Sequence, residues 1–166
     1  MSKADHHQSQ TFLTFYLDDE LFGLNIDMVR EVLEYKDITR VPMTADFMRG
    51  VINVRGSVVP VIDLRRKFGF DEIMPTVHTC IIIMELDIDG ERAVMGALVD
   101  GVQEVLDITA EQIDKSPRLG SRMDTRFLTG IARLGEQFVI LLDMPAVFSL
   151  AELSGLTALQ QEAVTI

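Results

Sequence analysis

The sequence predicts an all-β protein built as two small barrels, and three observations carry this. Short runs with the alternation or continuous apolar character of strands recur along the chain, roughly five in each half, separated by turn residues. The two halves align with one another, so one structural plan is written twice. No long loop interrupts either half, and the spacing favours small barrels over a parallel sheet.

Each half opens with two β-rich runs, FLTFYL and LFGLNI in the first, CIIIMEL and RAVMGALV in the second, each pair joined by an acidic turn. A short helical turn is expected next at VREVL and VQEVL, where Asp27 and Asp100 precede the apolar residues as caps. Asp100 with Gln103 also has capping-box spacing. A second helical turn is expected at ADFMRG and DTRFLTG, closed by Gly50 and Gly130 as glycines just past the helix end. Two strands complete each half. Asp63 or Asp143 then caps a last helical turn, the second with Pro145 near its start.

The repeat can be written out. FGLNIDMVREVL lies over MGALVDGVQEVL with Phe22 on Met95, an offset of 73; FMRGVINVRGSVVPVIDLRRKF lies over FLTGIARLGEQFVILLDMPAVF with Phe47 on Phe127, an offset of 80. Gly50, Asp63 and Asp27 recur in the second half, so their expected work is structural. Arg55 does not recur, because Gly135 takes its place, and Pro60 faces Ile140. Whatever Arg55 does belongs to the first half alone.

GVINVRGSVVPVID reads as a hairpin. Gly56-Ser57 would be the two-residue loop, setting Arg55 opposite Val58, Val54 opposite Val59 and Ile52 opposite Val61. One face is then Ile52, Val54, Val59 and Val61, and the other is Asn53, Arg55, Val58 and Pro60. An arginine beside aliphatics at a hairpin mouth has the composition of a binding patch. A solvated hairpin tip is the plainer alternative.

Fifteen basic against 26 acidic residues give a net charge of −11 over 166 residues, which disfavours nucleic acid and anionic membrane surfaces as partners. A partner with basic patches fits better. The single cysteine, Cys80, lies in an apolar run and is expected to be a buried, inert thiol. MSKADHHQSQ has no apolar stretch of a signal peptide, and no segment has the length of a membrane span, so a cytoplasmic protein is expected.

Catalytic patterns are not found. No histidines or cysteines stand at metal-ligand spacing within an ordered element, no G-x-G occurs, and the carboxylate pairs Glu31/Asp63 and Asp87/Asp89 have plainer uses as caps, turns or solvated charge. The expectation is a non-enzymatic protein without cofactor or metal. Residues 1–10 read as a disordered tail, and 11–148 as the structured part, with subdomains of about 11–70 and 78–148. The residues leave open whether these are intertwined. In 149–166, Leu150, Leu153, Leu156 and Leu159 recur at helical spacing, predicting a C-terminal helix.

GVINVRGSVVPVIDLRRKFG, with FGLNIDMVREVLEYKDITRVP and ALVDGVQEVLDITAEQI, resembles the CheW family of bacterial chemotaxis coupling proteins from about Thr11 to Phe148. The resemblance implies two five-stranded Src-homology-3 (SH3)-like barrels with short connecting helices. It implies a scaffold, monomeric alone, that couples transmembrane chemoreceptors to the histidine kinase CheA by binding the kinase's CheW-like regulatory domain and the receptor's cytoplasmic tip at membrane-associated arrays. The family's binding residues map to Arg55, Gly56 and Val58 in the hairpin, to Glu31 for kinase contact, and to Val29 and Val102 for the receptor groove. The 18 residues after Phe148 are too few for the receiver domain of a CheV-like adaptor. A coupling protein of a pathway governing pili or development is the alternative.

Overall fold

Runs such as FLTFYL and CIIIMEL offer almost no polar side chains for a solvent face, so the strands they form need cover on both faces. The computed structural model describes residues 9–42, 44–88, 90–115 and 125–147 and shows how that cover is provided. In chain order they form β1 (Ser9–Leu17), β2 (Glu20–Asn25), a 3-10 turn Ile26–Met28, β3 (Val29–Glu34), β4 (Met48–Val54), β5 (Ser57–Asp63) and α1 (Leu64–Lys67). There follow β6 (Cys80–Ile88), β7 (Glu91–Val99), β8 (Gly101–Thr109), a 3-10 turn Ala110–Gln112, β9 (Ile113–Asp114), a 3-10 turn Thr125–Phe127, β10 (Leu128–Leu134), β11 (Gln137–Leu142) and α2 (Met144–Val147).

The strands make two sheets, ordered β8-β1-β2-β11-β10-β9 and β3-β6-β7-β5-β4. Read through the repeat, the two orders are the same. Sheet membership crosses the halves of the sequence, for the β1–β2 hairpin sits with strands of the second half and β6–β7 with strands of the first. The hairpins join across by parallel pairs, β2 to β11 and β7 to β5.

Each sheet closes on itself at a glycine. Beyond β3 the chain crosses to the far edge, where Thr39 and Val51 exchange N–H···O bonds of 2.9 and 2.8 Å. Beyond β8, the short β9 pairs with β10 in the same way. Gly50 has φ +148°, and a Cβ there would fall on the Thr39 carbonyl; a Cβ on Gly130 would lie 2.7 Å from Ile113 Cγ2 and 2.8 Å from Asp114 O. Both glycines lie in strands, at register shifts of β4 and β10. They permit close backbone approach, in place of the helix-ending role expected from the sequence.

Three apolar clusters follow from strand alternation. Phe15, Leu17 and Phe22 from one sheet pack with Ile82, Met84 and Met95 from the other, filling the space between the barrels. The opposite faces fill the barrels: Phe12, Leu21 and Ile108 in one, Ile81, Ile83 and Leu98 in the other. Burying one such side chain is worth about 1.5–3 kcal/mol, so the shared cluster dominates the joining of the barrels.

The turns expected at VREVL and VQEVL are strands, β3 and β8. Asn25, rather than Asp27, accepts the N–H that starts the preceding 3-10 turn. Asp100 takes no cap role, and the capping box is at Thr109 and Gln112. ADFMRG contributes only a turn at Asp46-Phe47 before β4 begins. The final turns occur as expected, with Asp63 accepting from the Arg65 N–H at 3.0 Å and Asp143 from the Ala146 N–H at 3.3 Å. The expected C-terminal helix lies outside the described residues, and β1 starts at Ser9, inside the stretch read as a tail.

Candidate protein-interaction site

The β4–β5 hairpin turns at Arg55-Gly56, with Val54 opposite Ser57, Asn53 opposite Val58 and Ile52 opposite Val59. The loop is therefore one residue earlier than Gly56-Ser57. Because each cross-strand partner moves by two positions, the faces are unchanged: Ile52 and Val59 point inward, while Asn53 and Val58 share the outer face. Pro60 is also buried, although it belongs to the face read as outward.

Both loop residues are left-handed, Arg55 at φ 50° and Gly56 at φ 87°. Gly56 adopts this freely; an arginine in that region costs on the order of 1 kcal/mol. Two contacts hold the turn. The Gly56 N–H donates to Asn53 Oδ1 at 3.0 Å, and the Arg55 guanidinium makes a forked pair with Glu31, Nη2 to Oε2 at 2.5 Å and Nη1 to Oε1 at 3.2 Å. Glu31 is on β3, so the bridge spans the closure of the barrel. Nearby, Lys36 Nζ donates to the Asn53 carbonyl at 2.7 Å.

The Arg55 side chain remains 69% exposed, which makes its ion pair worth at most about 1 kcal/mol. The charge therefore stays available to a partner. Arg55, Gly56 and half-buried Val58 are brought together by the hairpin, and Glu31 by the bridge. Val29, the first residue of β3, and Val102, the second of β8, occupy equivalent places in the repeat, and both lean on the cluster between the barrels. They belong to the interbarrel seam, whereas Arg55 belongs to one barrel's rim.

Arg65 escaped the reading of the sequence. Its side chain is 8% exposed, with Nη1 donating to Asp100 Oδ2 at 2.5 Å, Nε to the Asp71 carbonyl at 2.6 Å and Nη2 3.5 Å from Asp18 Oδ1. The Asp18 N–H also donates to Asp100, at 2.6 Å. Since Asp18 opens the β1–β2 turn and Arg65 rides on α1, this cluster bolts one barrel to the other. DLRR alone does not reveal which of two adjacent arginines turns inward.

Burial pushes the Asp63 carboxyl upward from its ordinary value, opposed by N–H groups of Arg66 and Arg65 and by Arg49 3.5 Å away. Burial likewise raises the Cys80 thiol, which is half-buried and donates to the His78 carbonyl at 3.2 Å. It is a protonated structural thiol at neutral pH. Among the described residues no group of three or more His, Cys, Asp and Glu side chains is placed to hold a metal, and no helix is long and apolar enough to cross a membrane.

Comparison with known proteins places these features in a family setting. The CheW-like domain model matches residues 11–152. "Chemotaxis protein CheW" of Klebsiella aerogenes is 41% identical over 145 residues, spanning 87% of this chain and 85% of its own. "Probable chemotaxis protein CheW" of Rhizobium etli is 33% identical over 150 residues, with 90% and 94% covered. The crystal structure of the scaffolding protein TtCheW from Thermoanaerobacter tengcongensis superposes with a TM-score of 0.76 at 35% identity, covering 87% of this chain and 96% of that one.

Proposed function

The chain belongs to the CheW family and is a chemotaxis coupling scaffold of two SH3-like barrels, and from that premise we propose that it holds a chemoreceptor and the histidine kinase CheA in one complex. Arg55 is the observation that carries the residue-level reading. An exposed arginine occupies a left-handed turn position at a conformational cost, and a cost that folding does not require is a sign of function.

In this reading Arg55, Gly56 and Val58 form a contact patch for the kinase's CheW-like regulatory domain or the receptor tip. Glu31 aims the guanidinium and takes part in kinase contact. Val29 and Val102, at the seam, receive aliphatic side chains of a receptor helix. Engaging both partners at once raises the effective concentration of kinase beside receptor, so that receptor conformation can bias kinase activity. The chain would then reside at membrane-associated arrays through its partners. The names of its relatives favour chemotaxis over pili or development.

Co-purification tests this reading. The full chain should retain both a CheA regulatory-domain fragment and a receptor cytoplasmic fragment, and the ternary complex should elute as one species. Retention of neither partner by folded protein would overturn it.

A further inference from the structure

Val29 and Val102 each stand beside a β-bulge. In the first barrel Val29 pairs with Met84 and Glu31 with Ile83, leaving Arg30 as the extra residue. In the second, Val102 pairs with Phe15 and Val105 with Leu13, so that Gln103 and Glu104 together face Thr14 alone. A bulge interrupts the ladder and re-aims the side chains beside it. What fixes the bulge therefore helps to fix the valine.

The two barrels fix it differently. Glu31 is held from outside, by its carboxylate on Arg55. Its counterpart in the repeat, Glu104, is held from within, because the Thr14 hydroxyl donates to the Glu104 carbonyl at 2.6 Å and accepts from the Glu104 N–H at 3.1 Å. The Gln103 side-chain amide lies 3.2 Å from the same hydroxyl. One side chain thus answers both backbone groups of a bulge residue.

Thr14 is wholly buried, on the same face of β1 as Phe12 inside the second barrel. A hydroxyl there is costly unless it is bonded. The shared plan of the barrels does not need one: Thr14 faces Gly23 across its hairpin as Ile83 faces Gly96, so the counterpart of Thr14 is an isoleucine. We infer that Thr14 is a positioning residue for partner binding at the seam, pinning the β8 bulge so that Val102 stays where a receptor helix meets it. This rests on the reading of the seam as the receptor site. Receptor affinity then depends on a buried hydroxyl that touches no partner.

The test titrates the full chain calorimetrically against the receptor cytoplasmic fragment and, separately, the CheA regulatory domain. Thr14→Val keeps the shape and removes both hydrogen bonds; it should weaken receptor binding about fivefold and leave kinase-domain binding within about twofold of the parent. Thr14→Ser restores the hydroxyl and should bind both partners as the parent does. Thr14→Ala removes the hydroxyl with less bulk and should repeat the valine result. In amide hydrogen exchange Glu104 should exchange faster in the valine and alanine variants and not in the serine variant. Val102→Ser probes the seam directly and should weaken receptor binding at least as much as Thr14→Val. Equal loss of both partners, or undiminished receptor binding by Thr14→Val beside a weakened Val102→Ser, would overturn the inference. Undiminished receptor binding by Val102→Ser would instead overturn the reading of the seam, and the inference with it.

Discussion

The two hairpins β4–β5 and β10–β11 have the same fold and different tips. Both turn through two residues and close their barrel at a strand glycine. At the first turn position, however, one has Arg55 at φ 50° and the other Gly135 at φ 67°. Gly135 suits a left-handed turn without strain, and Arg55 does not. What the halves share therefore builds the barrels. What one half has alone is where interaction is to be sought, and Arg65 adds a caution, since it faces Pro145 in the repeat and yet serves the fold.

Removing that bolt should have the largest effect. Arg65→Ala leaves Asp100 without its buried partner and should cost about 3–5 kcal/mol by urea unfolding, whereas Pro145→Ala should cost under about 1. Equal losses would show that the halves are more alike than their contacts.

The closing glycines come next. Gly50→Ala places a Cβ on the Thr39 carbonyl at a positive φ, while Gly130→Ala meets Ile113, whose methyl can shift, as well as the Asp114 carbonyl. Losses of about 3 and 1–2 kcal/mol are expected, read as shifts in melting temperature.

A smaller effect separates the twin caps. Asp63→Ala and Asp143→Ala should each cost about 1 kcal/mol. Asp63→Asn keeps the cap acceptor and removes a buried charge. Because burial raises the Asp63 pKa, the folded chain holds its proton more tightly than the unfolded chain, so this group adds stability as pH falls and withdraws it as pH rises through the folded value. Relative to the parent, Asp63→Asn should therefore be more stable near pH 7 than near pH 3, compared by urea midpoints. The opposite trend would mean that Arg49 and the N–H groups outweigh burial.

Much of this could be read in the chain, and the failures have physical causes. Apart from Pro60, which is buried, the inward and outward faces of β4–β5 were legible from alternation, and the caps at Asp63 and Asp143 from local chemistry. The register was not, because Arg55 occupies a position where glycine or asparagine is the usual signal. VREVL and VQEVL mislead because β3 and β8 are edge strands that leave Val32 and Val105, at 40% and 53%, exposed, breaking the simple alternation. Gly50 and Gly130 were recognised as structural, but the segments approaching them, around Thr39 and Asp114, are remote in sequence. Strand exchange between the halves rests on the antiparallel pairs β1–β8 and β3–β6 and the parallel pairs β2–β11 and β5–β7, which carry no local signature. Among candidate residues, hairpin contiguity united Arg55, Gly56 and Val58, while only the closed barrel brings Glu31 to Arg55.

That pairing gives the smallest expected stability effect. Glu31→Arg with Arg55→Glu should fold within about 1 kcal/mol of the parent, because the exposed pair is restored in reverse. Either single change should bind partners less well. Recovery of binding by the double variant would show that the bridge itself matters, and no recovery that the partner reads each charge in place.

The most direct test of the central claim gives the first hairpin the second one's turn residue. Arg55→Gly relieves a conformational cost of about 1 kcal/mol and loses an exposed ion pair worth at most about the same, so the melting temperature should hold or rise slightly. Titration of the same purified variant against the CheA regulatory domain and a receptor fragment should show binding to at least one of them weakened by about 1–3 kcal/mol. A lower melting temperature with both affinities unchanged would contradict the account, and would make Arg55 a residue of the fold.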